Sequence, residues 1–278
     1  MPDLILYHNG PSTCSQKIRL ILGLKDLAYE SKLIDLQAGE QHDPDYVKIN
    51  PNHVVPTLVY KGKIFIESSL ILEFLEDEFP EVSARPSTAE EIHSMRLWLK
   101  TTDAYHLHGG SITYGIAVRN ILIQKPKDEL EKEINDIPDL IKRNNRRDLI
   151  ENGLKAECVI EGLKQSKILM DSLEENFKNS DWFTGSKFGL ADAAVFPYVL
   201  RWEQLSLMNY CSESTHPHIN NWFNKIKKLP FYEKQITSYL PMPLIDALKQ
   251  FSLNQKEELD SLFNCLLYTS PSPRDVEE

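Results

Sequence analysis

Residues 50–68 read NPNHVVPTLVYKGKIFIES, and this stretch carries the clearest fold signal in the chain. Two segments rich in β-branched and aromatic residues flank Lys61-Gly62-Lys63, at residues 57–60 and 64–66. That pattern predicts a β-hairpin closed by a three-residue loop with glycine at its centre. Pro56 stands at the entrance of the first strand, where its missing N–H is tolerated. Glu67-Ser68 then opens a helix predicted over residues 69–79.

The residues before the hairpin begin with a strand and a helix. Residues 4–7 form a short apolar run that is typical of a buried strand. The helix that follows is capped by Ser12 or Thr13. Lys17 and Arg19 point away from its apolar face, which is formed by Cys14, Ile18, Ile21 and Leu22.

A second strand completes the unit, over residues 32–36, and a strand–helix–strand unit favours parallel pairing. A short helical turn is predicted over residues 45–49, before the hairpin and its helix. The resulting order, βαβαββα, is that of a thioredoxin-like domain. We assign this domain to residues 1–80.

The rest of the chain shows helical periodicity and no convincing strand. Residues 81–87 are rich in proline and small residues, which indicates a linker. Helices are predicted beyond it, over residues 88–105, 154–177, 191–205 and 219–229. The predicted fold class is therefore α/β plus all-α: a thioredoxin-like N-terminal domain followed by an all-helical C-terminal domain over residues 88–245. Residues 246–264 are predicted only as a C-terminal helix or tail.

A basic segment lies inside the helical region. Residues 139–152 carry four cationic side chains, those of Lys142, Arg143, Arg146 and Arg147. Such a run is typical of a solvated helix face or loop, which we favour over an anion-binding site.

The composition restricts the class of partner. A formal charge of −10 over 278 residues argues against a general nucleic-acid binder. No apolar run reaches the roughly 18–20 residues of a membrane helix, and the N-terminus lacks the basic and apolar regions of a signal peptide. The four cysteines are scattered without metal-ligand spacing. We therefore expect a reducing, cytoplasmic compartment, no membrane partner and no metal.

The last residues have an unusual sequence. Residues 265–275, CLLYTSPSPRD, look like the translation of a transposon-based sequencing-library adapter. On this interpretation residues 265–278 are an artefact, and the native C-terminus is lost near Asn264. We therefore leave this tail out of the fold prediction.

Two pieces of the N-terminal domain place donors where a small anionic thiol peptide can be held. If the Val55–Pro56 bond is cis, the main chain of Val55 faces outward and can pair with an extended peptide. At Glu67-Ser68, helix amides and the Ser68 hydroxyl suit a carboxylate, and Glu67 can accept from an ammonium group. Taken singly, the alternatives are a loop proline and a plain helix cap.

The third piece is the helix start at residues 12–15. A thiol near a helix N-terminus has its pKa lowered from about 8.5, because the dipole and a hydroxyl donor favour the thiolate. Ser12 precedes the first turn and can point outward. Cys14 shares the apolar face, so its alternative role is a small buried core residue. We rank Ser12 first, Cys14 second and Ser15 third as the side chain nearest the sulfur.

In combination, these motifs resemble one known family. The order Ser-x-Cys-Ser, Asn-Pro-x-x-x-Val-Pro-x-Leu and Glu-Ser-x-x-Ile, starting at residues 12, 50 and 67, is similar to the N-terminal domain of glutathione transferases. Residues 182–185 and 189–192, WFTG and GLAD, resemble the family's buried capping segment. The resemblance implies that Asp192 closes a hydrogen-bonded cap at the start of the central helix. Gly189 stands where the family usually has Ser or Thr, so we expect a weaker cap.

Within the family, the helix start at residues 12–15 is similar to the serine-type zeta and tau patterns. Residues 41–42, 48–51 and 73–80 resemble the branch of bacterial beta-etherases and fungal etherase-related proteins. Residues 137–153 look like an insertion found in that branch.

The resemblance implies a role for each binding residue in holding glutathione. Val55, beside Pro56, would pair with the cysteinyl main chain. Glu67 and Ser68 would hold the γ-glutamyl group. The candidates for the glycyl carboxylate are Gln41, His42 and His53.

A second substrate would lie between the domains, against the first helices of the second one. The candidate side chains are Tyr105, His108, Tyr114 and Trp202, each with a core role as its alternative. The resemblance thus implies a cytoplasmic, homodimeric enzyme that uses glutathione as cosubstrate. Its glutathione thiolate would attack a hydrophobic electrophile, for example an aryl ether or a halide. Two alternatives stay open: a thiol transferase or deglutathionylating oxidoreductase using Cys14, and a non-catalytic protein that binds glutathione or hydrophobic ligands.

Overall fold

The computed structural model describes residues 3–137 and 139–269. Two compact units are present. The first comprises the residues up to 103 together with residues 173–201 and 213–242. The second comprises residues 104–172, residues 202–212 and the described residues from 243 onward. Because these units do not follow the sequence boundary at residues 81–87, the domain limits given above stay a prediction.

The N-terminal part of the first unit is a four-stranded sheet with its helices. The strands lie in the order β2-β1-β3-β4, with β1 and β2 parallel and the other pairs antiparallel. This confirms the thioredoxin-like order. The elements are β1 (Leu4–His8), α1 (Thr13–Leu24), β2 (Glu30–Leu33), α2 (Pro44–Ile49), β3 (Thr57–Tyr60), β4 (Lys63–Phe65) and α3 (Ser68–Glu78).

Strand β2 begins and ends earlier than the predicted range 32–36. Its register pairs Ile5 with Glu30 and His8 with Leu33, so its partner β1 ends where β2 ends. One further bond joins Ile34 N to His8 O at 2.8 Å. The chain then turns at Asp35, whose carboxylate accepts hydrogen bonds from two following amides.

The hairpin loop is one residue shorter than predicted. Tyr60 pairs directly with Lys63, which leaves only Lys61 and Gly62 in the loop. Both have positive φ, 49° and 75°. Two positive φ values are those of a type I′ turn, whose twist matches the flanking strands.

The remainder of the described chain is helical, which confirms the second part of the fold class. A π-helical turn, Tyr114–Val118, follows the first of these helices, and that helix extends well past the predicted end at residue 105. Among the described residues, no helix combines the length and apolar character needed to cross a membrane. The helices are α4 (Ala89–Thr113), α5 (Arg119–Leu122), α6 (Lys127–Asn135), α7 (Leu140–Asn152), α8 (Glu157–Phe177), α9 (Leu190–Gln204), α10 (Pro217–Lys227), α11 (Tyr232–Gln235), α12 (Met242–Asn254) and α13 (Lys256–Thr269).

The C-terminal residues from 246 onward and the basic segment 139–152 are mainly helical where the structure describes them. Residues 246–264 belong to helices α12 and α13, apart from Gln255 between them. Of the adapter-like residues 265–278, residues 265–269 belong to α13 and residues 270–278 lie outside the described residues, as does Pro138 of the proposed insertion. The basic segment forms α7, with Asp139 as its N-cap. Three of its cations have partners within the protein: Arg143 with Ile137 O, Arg146 with the Tyr114 ring, and Arg147 with Glu131 and Asn135.

Asp192 caps the buried helix α9, as the resemblance implies. Its carboxylate accepts from Gly189 N at 3.0 Å and from Trp222 Nε1 at 2.7 Å. A Cβ at position 189 would lie only 2.6 Å from Ala84 O, the carbonyl that accepts from Leu190 N. Glycine therefore stands at position 189 because the linker main chain occupies the space that a side chain needs.

Candidate active site

Ser12 is the N-cap of helix α1, and Thr13 is the first residue of the helix. The Ser12 Oγ accepts from Ser15 N at 3.3 Å, with φ −62° and ψ 122° at the cap. A hydroxyl that accepts in a cap still has its own hydrogen to donate. The side chain is half-buried, so this donor lies at the positive end of a 12-residue helix and can be reached by a ligand.

The other two sulfur-contact candidates are placed differently. Ser15 is fully buried, and its Oγ accepts from Asn9 N at 3.3 Å, so its hydroxyl stabilises the turn before the helix. Cys14 is half-buried in the first turn of α1. Ser12 and Cys14 are therefore the two candidates with exposed surface at this helix start.

Lys17 and Arg19 are fully buried, which corrects the prediction that they lie away from the packed face of α1. Lys17 Nζ lies 3.5 Å from Asp103 Oδ1 and 5.2 Å from the centre of the Tyr198 ring. The helix is covered on this side by segments distant in sequence, so periodicity along α1 alone could not reveal it.

Arg19 and a second arginine, Arg201, hold the turn in front of Ser12. Arg19 donates to Asn9 O at 3.2 Å and to Gly10 O at 2.8 Å. Arg201, from α9, donates to Pro11 O at 2.6 Å. Three consecutive carbonyls thus each accept from a guanidinium. Sequence reasoning missed this arrangement, and the only available signal was an arginine within an apolar run of each helix, residues 18–22 in α1 and residues 195–202 in α9.

His8 belongs to the same buried network. Its Nδ1 lies 3.0 Å from Arg19 Nη1, which can only donate, so Nδ1 accepts and Nε2 carries the hydrogen toward Ser31 Oγ at 2.7 Å. Burial, together with the charge of Arg19, lowers the pKa of His8 from 6.5 to about 3. The imidazole is therefore neutral at physiological pH.

The Val55–Pro56 peptide bond is cis. Strand β3 begins only at Thr57, so the peptide groups of Val55 take no part in the sheet. The preceding carbonyl, that of Val54, accepts from Tyr46 Oη at 2.6 Å and from Asn50 Nδ2 at 3.0 Å. These two hydrogen bonds hold the main chain in place at Val54, directly before Val55.

Glu67 and Ser68 lie at the N-terminus of α3. Glu67 is exposed and has a φ of 68°, a conformation that side chains rarely adopt and that recurs at ligand sites. Ser68 is the first helical residue, and its neighbour Ser69 donates to Asp103 at 2.7 Å. The first amides of α3, together with an exposed carboxylate, can hold a group that carries both charges.

The structure brings Gln41, His42 and His53 together. His42 Nε2 lies 3.2 Å from Gln41 Nε2, and its Nδ1 lies 3.1 Å from His53 Nδ1. Gln41 Oε1 is buried without a hydrogen-bond partner among the described residues. Because Gln41 Nε2 can only donate, His42 Nε2 accepts from it and the His42 Nδ1 hydrogen goes to His53 Nδ1. The exposed ring N–H that can donate to a carboxylate is therefore that of His53 Nε2. Within the described part of the chain, no group of three or more metal-ligating side chains occurs.

The four second-substrate candidates belong to the second unit and fall into two pairs. Tyr105 and Trp202 are buried, and Tyr105 Oη is joined to Ser166 Oγ and to Trp202 Nε1, the latter at 3.1 Å. Burial raises the pKa of Tyr105 to about 12. This pair therefore occupies the core position given above as the alternative.

His108 and Tyr114 are partly exposed. His108 lines a cavity of about 610 Å³ together with Leu107, Ser111 and Cys158. Burial raises the pKa of the Cys158 thiol, so the thiol form is favoured there. Tyr114 lies beneath Arg146, whose guanidinium is 4.0 Å from the ring centre.

Two family models match this chain, one for an N-terminal domain and one for a C-terminal domain, and they match in that order along the sequence. The glutathione S-transferase N-terminal domain matches residues 11–78, and the glutathione S-transferase C-terminal domain matches residues 146–230. The chain belongs to the glutathione transferase family. The N-terminal match includes every residue predicted to contact glutathione, from Ser12 to Ser68.

One relative is similar to this transferase over most of its length. Protein LigF of Sphingobium sp. strain SYK-6 is 29% identical over 232 residues, which cover 82% of this chain and 90% of LigF. The crystal structure of beta-etherase LigF superposes with a TM-score of 0.76 at 28% identity, over 84% of this chain and 98% of that one.

Other relatives share a part of the sequence or the fold. A zeta-class glutathione S-transferase of Euphorbia esula is 40% identical over 92 residues, 33% of this chain and 40% of that protein. A glutathione transferase homologue of Drosophila mojavensis, solved with bound glutathione, has the same fold, with a TM-score of 0.63 at 20% identity over 90% of this chain and 98% of that one. These matches confirm the resemblance to the etherase branch and to the zeta pattern.

Proposed function

We propose that this transferase binds glutathione at the N-termini of α1 and α3 and activates its thiol through Ser12. The Ser12 hydroxyl donates to the sulfur and favours the thiolate, aided by the helix dipole. The thiolate then attacks an electrophilic carbon of a hydrophobic small molecule.

The observation that carries this proposal is the cap at Ser12. The Ser12 Oγ accepts a hydrogen bond from Ser15 N at 3.3 Å. Its own hydroxyl hydrogen therefore stays available to donate to a ligand. Ser15 lacks this freedom because it is fully buried.

The remaining binding residues suit the other parts of glutathione. The main chain of Val55, outside the sheet, can pair with the cysteinyl residue as an added strand does. Glu67 and the first amides of α3 suit the γ-glutamyl group, which carries an ammonium and a carboxylate. The Gln41–His42–His53 cluster supplies N–H donors for the glycyl carboxylate.

We propose an aryl ether as the electrophile class, on the strength of the similarity to beta-etherase LigF. In such a reaction a C–S bond forms at the carbon that bears the aryloxy group. The C–O bond breaks, and its electron pair leaves with the phenolate, which takes up a proton. His108 and Tyr114 remain the proposed second-substrate residues.

Turnover tests this proposal. Wild-type protein and the Ser12→Ala variant are given glutathione with a β-aryl ether or with a chlorodinitrobenzene, and phenol release or conjugate formation is followed. We expect ether cleavage by wild type and a loss of ~10²-fold or more in the variant. A Thr13→Ala control at the next position should keep most of the rate. Conjugation of the chlorodinitrobenzene without phenol release from the ether would support the transferase activity and would contradict the aryl ether as its substrate.

The alternative with Cys14 has its own test. If Cys14 forms a mixed disulfide with glutathione, the activity is thiol transfer, and Cys14→Ser abolishes reduction of a glutathione mixed disulfide. Unchanged turnover in Cys14→Ser rules this version out. Failure of the protein to bind immobilised glutathione would instead support the non-catalytic alternative.

We also propose, from the family resemblance, a homodimer that works in the cytoplasm. Light scattering of the purified chain tests the oligomeric state, and a mass of one chain would contradict it. Limited proteolysis tests the proposed domain boundary, because cleavage is expected first within residues 81–87 if they form an exposed linker.

A further inference from the structure

The turn before Ser12 is held from outside the helix that Ser12 caps. Arg201 lies 190 residues further along the chain than Pro11 and donates to its carbonyl from α9 at 2.6 Å. Pro11 O is the last main-chain acceptor before Ser12. The position of Ser12 is therefore tied to α9 as well as to α1.

Arg201 has no carboxylate partner among residues 3–137 and 139–269, whereas the buried cations Lys17 and Lys25 pair with Asp103 and Glu76. Arg19 is also buried without a carboxylate partner in these residues, but its guanidinium contacts four acceptors, whereas that of Arg201 has Pro11 O alone. The Nε of Arg201 is buried and has no hydrogen-bond partner in the same residues. Burial lowers its pKa to about 10, so the guanidinium stays charged at neutral pH.

An unpaired, largely buried cation is costly to a folded protein. The cost falls when a negative charge forms nearby, because the attraction is weakly screened away from bulk water. Glutathione bound at Ser12 would place its thiolate beside the turn that Arg201 holds. The charge left unpaired in the free protein would then stabilise the reactive form of the ligand.

We propose that Arg201 is a positioning residue of this transferase: it fixes Pro11 in front of Ser12 and supplies the positive charge that stabilises the thiolate of bound glutathione. The inference rests on the proposed function, since it needs a thiol bound at Ser12. It goes beyond that function because two groups then activate the thiol together: the Ser12 hydroxyl at the start of α1 and the Arg201 guanidinium on α9.

Two substitutions separate charge from position. Arg201→Gln removes the charge and keeps an amide that can donate to Pro11 O. Arg201→Lys keeps the charge and loses the planar guanidinium. Arg119→Met is the matched control, because Arg119 also donates to a main-chain carbonyl, Ile150 O at 3.0 Å, but lies in the second unit.

The measurement is the ultraviolet absorbance of the thiolate of bound glutathione, titrated over pH. We expect Arg201→Gln to raise the thiol pKa by roughly one unit, as loss of a nearby opposite charge does. Arg201→Lys should raise it by less than half as much, and Arg119→Met should leave it unchanged. The affinity for S-methylglutathione, which has no ionisable thiol, should change less than twofold in Arg201→Gln, Arg201→Lys and Arg119→Met. A purely structural role of Arg201 would instead weaken the binding of this ligand as well.

The outcomes separate this inference from the proposed function. A wild-type thiol pKa that Ser12→Ala raises but Arg201→Gln leaves unchanged overturns the role of Arg201 alone. A wild-type thiol with the pKa of free glutathione overturns both proposals. If Arg201→Gln does not fold, Arg201→Met removes the same charge and decides: an unchanged thiol pKa contradicts the electrostatic role, and a rise of roughly one unit supports it.

Discussion

Lys25 Nζ donates to Glu76 Oε2 at 2.8 Å, and both side chains are buried. The same ammonium donates to Phe79 O and Val82 O, each at 2.8 Å. Glu76 in turn accepts from Ala84 N at 2.9 Å. This ion pair therefore joins the end of α1 to the end of α3 and to the linker that follows it.

Breaking this pair should be strongly destabilising. Lys25→Met leaves the Glu76 carboxylate buried without its cation, and we expect a loss of about 3–5 kcal/mol in the free energy of unfolding. Urea denaturation measures it. The double variant Lys25→Met/Glu76→Gln should be more stable than Lys25→Met, because glutamine leaves no buried charge unpaired. Lys48→Met, which breaks an exposed pair with Asp45, is the control and should match wild type.

Restoring the family's usual residue at position 189 should harm this protein. A Cβ there would lie 2.6 Å from Ala84 O, so Gly189→Ser is expected to destabilise by about 1–3 kcal/mol. Gly110 in α4 has nothing within 4 Å of the same atom. Gly110→Ala should therefore stabilise by about 0.5–1 kcal/mol, as removal of a helical glycine does. Thermal or urea unfolding compares the two, and a more stable Gly189→Ser would refute the steric explanation.

His8 should make the stability depend on acid pH. Its pKa is 6.5 when unfolded and about 3 when folded, so below pH 6.5 the unfolded chain binds a proton that the folded chain does not. The free energy of unfolding should thus fall as the pH drops from about 6.5 toward 3, by up to ~1.4 kcal/mol per pH unit from this group. His8→Gln can keep both hydrogen bonds and cannot titrate. Its stability should decline less steeply over that range, and equal slopes would contradict the neutral, buried histidine.

Local signals in the sequence were sufficient for much of the fold. The hairpin followed from residues 57–66, where two β-forming segments flank a glycine. The loop length was wrong by one residue because Lys61 adopts a positive φ that composition does not favour. Ser12 was one of two residues, with Thr13, predicted to cap α1, because a cap depends on residues within a few positions. The cap at Asp192 was expected from the family resemblance and not from a local signal.

Long-range packing was not predictable in the same way. Lys17 and Arg19 looked like solvent-facing cations, yet α9 and the segment around Gln235 cover them. The turn before Ser12 depends on Arg201, and no periodicity relates positions 190 residues apart. Helix α4 was predicted to end at residue 105, but its helical conformation continues to Thr113 without a terminating residue to mark the earlier end.

The activation of a thiol by Ser12 is tested most directly by one titration. The ultraviolet absorbance of the thiolate of bound glutathione is followed over pH for wild type and for Ser12→Ala. We predict a lowered thiol pKa in wild type that returns toward the free value of about 8.5 in the variant. A variant that titrates like wild type would show that Ser12 is not the activator and would favour Cys14.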